Sequence, residues 1–169
     1  MTLEEAIRTA IEYETRVHAA YKDAQEQAHD EVGRRVFGTL AREEAGHIAY
    51  LRRRLAEWKE SGRLTDEDLE TAVPPVAQIE AHTEKLGEKL VERSPIGKDE
   101  IRLLEKALKV EQETSDFYRR MVGELDGQGR DLFARFLEIE EGHGTIVQAE
   151  IDAANGHGFW FDIPEFRLG

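Results

Sequence analysis

Four stretches of this chain carry apolar residues at three- and four-residue intervals, and each stripe is broken once, near its middle, by a glutamate. An apolar stripe at that spacing is the helix face that a bundle buries, so the pattern demands a fold in which four acidic side chains share an otherwise apolar interior. The first stripe runs Ile7, Ala10, Ile11, Val17, Tyr21 and Ala24 around Glu14, and the second Val36, Phe37, Leu40, Ile48, Leu51, Leu55 and Trp58 around Glu44. The third runs Ile101, Leu104, Leu108, Tyr118, Val122 and Leu125 around Glu111, and the fourth Leu132, Phe133, Phe136, Leu137, Val147 and Ile151 around Glu140. No segment alternates as a strand would, and the only prolines are Pro74, Pro75, Pro95 and Pro164. The predicted class is all-α.

Local signals set the helix limits. Thr2 with Glu5 three residues later predicts a capping box, and the first helix is expected to end near Ala28 to Asp30. The second stops at Ser61-Gly62, a common helix exit. Between 62 and 97 the pattern weakens into a short helical stretch at Thr65-Asp66-Glu67, a break at Pro74-Pro75 and a polar helix over about 76–92. The third helix follows Pro95-Ile96-Gly97, a tight turn is expected at Asp126-Gly127-Gln128-Gly129, and Asn155-Gly156 ends the fourth. These limits predict an antiparallel four-helix bundle over 1–155, built as two helical hairpins joined by the long 62–97 crossover. A tail over 156–169 carries Phe159, Trp160, Phe161 and Phe166, rings costly enough to expose that it should pack on the bundle or on a partner. The halves also resemble copies, since Ala10, Glu14 and Tyr21 align with Ala107, Glu111 and Tyr118.

Composition narrows the chemistry. Asp and Glu number 36 against 23 Lys and Arg, a net charge of −13 that repels phosphate backbones and anionic membranes, so nucleic acid and membrane partners are not expected. The chain has no cysteine, which excludes thiolate nucleophiles, Cys-ligated zinc and iron–sulfur centres within it; any metal must be held by carboxylate and imidazole. Met1-Thr2-Leu3-Glu4-Glu5 is not the basic-then-apolar start of a secretory signal, and the expected location is cytoplasmic.

On the second and fourth stripes the glutamate is followed three residues later by histidine, Glu44-Ala45-Gly46-His47 and Glu140-Glu141-Gly142-His143. That offset places carboxylate and imidazole on one helix face, ~4.5 Å apart along the axis, where both can reach one ion. A buried unpaired carboxylate costs several kcal/mol, and four converging ones call for cations. Two divalent ions would cancel the charge, and mixed oxygen and nitrogen donors suit iron or manganese, with zinc as a further substitute. The metal candidates are therefore Glu14, Glu44, His47, Glu111, Glu140 and His143. Tyr21, Tyr118 and His18 are candidates for hydrogen bonding to them, the tyrosines also for carrying an electron, although packing with a satisfied hydroxyl is the plainer role for those rings and an exposed position the plainer one for His18. Glu26-Gln27-Ala28-His29 repeats the motif off the stripe and is read as a decoy; His82 and His157 are read as surface residues, and Glu43, Glu113 and Glu141 as flank charges. Gly46 and Gly142, each just before a candidate histidine, would allow close helix packing.

With Glu14, Glu44-x-x-His47, Glu111, Glu140-x-x-His143 and the long crossover, the chain resembles the rubrerythrin branch of the ferritin-like di-iron carboxylate superfamily. The resemblance implies a pair of irons that reacts with dioxygen or hydrogen peroxide, often in a homodimer, with Glu44 and Glu140 bridging and Glu14 and Glu111 terminal. Two departures accompany it. Rubrerythrins proper add a rubredoxin domain built on four cysteines, whereas a chain without cysteine needs a separate electron donor. They also carry a second glutamate one turn after the first on the third helix, where this chain has Thr114. The expected function is a di-iron oxidoreductase acting on O2 or H2O2; the alternative is ferroxidation and iron handling without peroxide turnover.

Overall fold

The four long helices expected from the apolar stripes form, and the ends of the first two follow from the chemistry at their caps. In the computed structural model, which describes residues 1–74, 76–78, 81 and 97–156, the chain builds α1 (Leu3–Gln27), α2 (Glu31–Ser61), α3 (Lys98–Glu124) and α4 (Gly127–Gly156). The Thr2 hydroxyl accepts from Glu5 N and the Glu5 carboxylate accepts from Thr2 N, which satisfies two donors that the first turn leaves open. Asp30 caps α2 by accepting from Gly33 N at 2.9 Å. Gly62 ends α2 at φ 65°, in the left-handed region, where a Cβ costs about 1–2 kcal/mol. Gly62→Ala is therefore expected to lower unfolding stability by about that amount in urea titration.

Three residues, 28–30, separate α1 from α2, and two, 125–126, separate α3 from α4, so each hairpin folds straight back on itself. Side chains then sort along the helices. One apolar cluster holds Val17, Ala24, Val36, Phe37, Leu40, Leu104, Ala107 and Val147, and another holds Ile7, Ala10, Leu51, Phe117, Met121, Phe133 and Phe136. Chain order through the two clusters reverses from α1 to α2 and from α3 to α4, and is the same in α2 and α3. These two helices therefore run parallel, and the crossover must return the length of the bundle. Helix α1 packs on α2, α3 on α4, and α1 on α3. The six candidate residues sit between the clusters, on the middle turns of every helix.

The crossover departs from expectation at its start. Thr65-Asp66-Glu67 forms no helix, because its backbone is used by α2: Arg54 donates to Thr65 O at 2.7 Å and Tyr50 donates to Glu67 O at 2.7 Å. Arg54 itself is buried, a cation on a helix whose stripe beyond Glu44 reads as purely apolar. The expected turn at 126–129 is shorter, since α4 already begins at Gly127 with φ 54°. Residues 76–78 and 81 are helical, as the polar-helix expectation has it; most of that helix, His82, His157 and the tail beyond 156 lie outside the described residues.

Candidate metal centre

The fold brings all six candidates together. Glu14, Glu44, His47, Glu111, Glu140 and His143 are each no more than 1 % exposed. Both imidazoles turn Nδ1 inward. His47 Nδ1 lies 3.1 Å from Glu44, 3.3 Å from Glu14 and 2.9 Å from Glu140, while His143 Nδ1 lies 2.6 Å from Glu44, 3.5 Å from Glu111 and 3.6 Å from Glu140. The rings stack 5.5 Å apart and 7° from parallel, closing the space between α2 and α4. Ligand-capable atoms converge within 4.8 Å in two overlapping tetrads, Glu14–Glu44–His47–Glu140 and Glu44–Glu111–Glu140–His143. Glu44 and Glu140 belong to both tetrads, and Glu14 and Glu111 to one each.

The donor set fits a pair of divalent cations. Oε2 of Glu140 and Oε2 of Glu111 are buried without a hydrogen-bond partner, and Oε1 of Glu140, though 2.9 Å from His47 Nδ1, is not aligned for a hydrogen bond, a condition that protein interiors otherwise avoid. Among the described residues no Lys or Arg pairs with any of the four glutamates. Protons have to balance the cluster when no metal does. Burial, reinforced by Glu140 and Glu44, holds Glu14 well above the usual carboxylate range, and burial with Glu140 does the same to Glu111. Burial also opposes ionisation of Glu44 and Glu140, yet the neighbouring imidazoles outweigh it and keep both low. The carboxylates in turn outweigh burial at His47 and His143 and raise both imidazoles well above their ordinary value. Carboxylate and imidazole thus favour each other's charged forms at Glu44, Glu140, His47 and His143, while burial favours the neutral forms of Glu14 and Glu111.

Two tyrosines tie the halves together. Tyr21 donates to Glu111 and Tyr118 donates to Glu14, so each ring reaches the glutamate of the opposite hairpin. Burial and the nearby carboxylates push both phenols well up, which keeps them protonated donors. His18, half-buried, makes no hydrogen bond or ion pair to the cluster among the described residues. Glu26 and His29 are exposed and stay outside both tetrads.

Glu43, read as a flank charge, has a position that sequence spacing missed. Its side chain is only 8 % exposed; one carboxylate oxygen accepts from Ala72 N and from Thr71 Oγ1, and the other lies 3.8 Å from His47 Nε2. With His47 and His143 it forms a third convergent group. At 3.8 Å the contact is electrostatic, since His47 Nε2 has no hydrogen-bond partner among the described residues; a negative charge at the outer nitrogen makes an imidazole a more basic ligand. The crossover supplies what holds Glu43 there, and no local pattern announces a contact made 28 and 29 residues away. Glu43→Gln is expected to weaken metal retention about 10- to 100-fold in chelator competition, with α-helical content unchanged. Gly142 lies beneath the same strap, where a Cβ would make ordinary contact at 3.5 Å with Val73 Cγ1, and among the described residues a Cβ at Gly46 would meet nothing within 4 Å, so the close packing expected at these glycines requires neither of them.

From the α3/α4 side a groove of about 1290 Å³ lined by Gln112, Ser115, Thr145, Gln148 and Gly144 reaches Glu111 and Glu140. Thr114, buried beside Glu111, donates its hydroxyl to Val110 O at 2.8 Å and offers no carboxylate.

The family model for Rubrerythrin matches residues 5–151, a span that takes in all six convergent residues and the whole crossover. No curated protein and no solved structure matches the chain significantly. Buried carboxylates and imidazoles paired across two helical hairpins are what a di-iron carboxylate bundle requires, and with that match the chain belongs to the rubrerythrin family.

Proposed function

We propose that this protein is a di-iron oxidoreductase: Glu14, Glu44, His47, Glu111, Glu140 and His143 hold two irons that react with dioxygen or hydrogen peroxide, and a separate donor returns the electrons. The observation that carries the reading is the pair of overlapping tetrads sharing Glu44 and Glu140, with buried carboxylate oxygens left unpartnered. Bound iron would supply the redox chemistry. The chain's own residues do the rest: four carboxylates set the charge, Tyr21 and Tyr118 fix the outer glutamates by hydrogen bonds, and the apolar clusters on either side limit water. The groove ending at Glu111 and Glu140 gives a small oxidant a way in.

Thr114 favours dioxygen or ferroxidase chemistry over peroxide turnover. Its hydroxyl is committed to the α3 backbone, so no second carboxylate stands one turn beyond Glu111 to change places with the first. Anaerobic Fe(II) titration followed by oxidant addition tests both points. Two equivalents bound, with repeated O2 consumption when a reductant is present, are expected. Loading far beyond two equivalents would favour iron storage, and absence of binding would overturn the assignment.

A further inference from the structure

The two tyrosines that bond to the cluster differ in what lies behind them. Tyr21 is fully buried, and among the described residues the ring beside it is Phe37, 6.5 Å away and tilted by 36°. Tyr118 is followed by a continuous aromatic path outward: Phe117 lies 5.6 Å from it, and Tyr13 stacks on Phe117 at 4.8 Å and 18°. Tyr13 is half-buried, and its hydroxyl makes no hydrogen bond among the described residues, so it can exchange a proton with water. Arg16, paired with Glu113 at 2.7 Å, lies over the Tyr13 ring, and Arg120 lies over Phe117. Tyr50 offers another aromatic branch through Phe136, but its hydroxyl donates to the Glu67 backbone carbonyl, a group too weakly basic to take a phenol proton.

We propose that Tyr118, Phe117 and Tyr13 form a one-electron relay between the cluster and the protein surface, with Tyr13 as the outer terminus where a one-electron donor delivers its electron. The inference rests on the oxidoreductase reading above for its purpose, and on the ring geometry for its path. With an oxidised metal pair bound, Tyr118 would give up one electron to it, and the Tyr118 hydroxyl proton would pass to Glu14, its hydrogen-bond acceptor, whose carboxylate is ionised in the metal-loaded protein. An electron from Tyr13 crosses Phe117 to restore Tyr118, which recovers its proton from Glu14. The Tyr13 phenol gives its own proton to water and regains an electron from the donor together with a proton from water. The net change is one electron moved inward from donor to metal. Phe117 is not oxidised; it fills the gap between the two phenols with contacting π-systems.

The test needs no iron turnover. The full chain, with zinc added as a redox-silent divalent ion, is flash-oxidised by a photogenerated ruthenium(III) polypyridyl complex, frozen, and read by electron paramagnetic resonance for tyrosyl radical. The expected result is a long-lived, buried tyrosyl signal that is lost in Tyr118→Phe and equally in Tyr13→Phe, and is retained in Tyr21→Phe and Tyr50→Phe. Ascorbate should quench the wild-type signal quickly and have no such fast phase once Phe117→Leu opens the gap. Persistence of the buried signal in Tyr13→Phe, its loss in Tyr21→Phe or Tyr50→Phe, or no tyrosyl signal in the wild type would overturn the relay. Phenylalanine keeps the ring in place, and far-ultraviolet circular dichroism of each variant separates a lost path from a lost fold. Failure of iron to bind would sink the oxidoreductase reading instead, so the two failures are distinguishable.

Discussion

Replacing Glu44 or Glu140 by Ala is expected to remove both metal positions, whereas Glu14→Ala or Glu111→Ala should each leave one. The difference comes from membership: Glu44 and Glu140 lie in both tetrads, and Glu14 and Glu111 in one apiece. Removing a shared carboxylate strips each ion of a ligand and of the negative charge that offsets it, and leaves His47 and His143 facing fewer anions. Removing an outer carboxylate also orphans one tyrosine hydroxyl, Tyr118 for Glu14 and Tyr21 for Glu111, and leaves the far tetrad intact. Glu26→Ala, at the exposed decoy, should bind as the wild type does. Elemental analysis and anaerobic Fe(II) titration of the five variants read these outcomes directly, and equal metal content in all of them would refute the assignment.

The second large effect is in pH. Without metal, burial favours the protonated forms of Glu14 and Glu111 and the carboxylates favour those of His47 and His143, so binding of divalent ions must release protons. The sign follows from the direction of each shift. Groups raised in the folded state lend stability that is complete below their usual values, 4.5 for the two glutamates and 6.5 for the two histidines, and is lost as pH rises from there through the raised values. Glu44 and Glu140 run the other way: held below 4.5, they contribute above that pH and lose the contribution as pH falls through the lowered values. Above about pH 6.5 the first set dominates, each proton weighing about 1.4 kcal/mol per pH unit. The metal-free protein should therefore lose thermal stability between about pH 6.5 and 8 while the metal-loaded protein does not, so that the melting shift on loading grows with pH. Calorimetry in buffers of different ionisation enthalpy counts the protons. A loading shift that shrank as pH rose would contradict the proton-balanced cluster.

Helix limits were legible because caps and apolar periodicity are local. Thr2 with Glu5 and Gly62 act within one turn of themselves and do in the fold what the sequence predicts, while Asp30, expected only near the end of α1, caps α2. The six cluster residues were legible for a different reason: a glutamate inside an apolar stripe has nowhere to go but the core, and four such stripes leave one common interior. Glu43 shows the limit of that logic. On the helix wheel it lies beside the stripe and looks solvated, yet the crossover runs across it and turns its carboxylate into the partner of Ala72 N and neighbour of His47. Arg54 was hidden in the same way, its guanidinium buried under Thr65 and Glu67 from the same strap. The tyrosines were visible as aligned copies, but their exchange of partners between hairpins was not.

From the order of residues alone come four helices, their caps, the absence of thiol chemistry, and an acidic cluster that demands positive charge, because each of these depends on side chains within a few turns of one another or on composition. Tertiary packing decided which carboxylates are shared between two tetrads, which imidazole nitrogen faces inward, which tyrosine leads to the surface, and what covers the outer edge of the histidines. Those are relations across α1, α2, α3, α4 and the crossover, set by how whole helices rotate and slide to bury their apolar faces, and no short stretch of chain contains the information that fixes them.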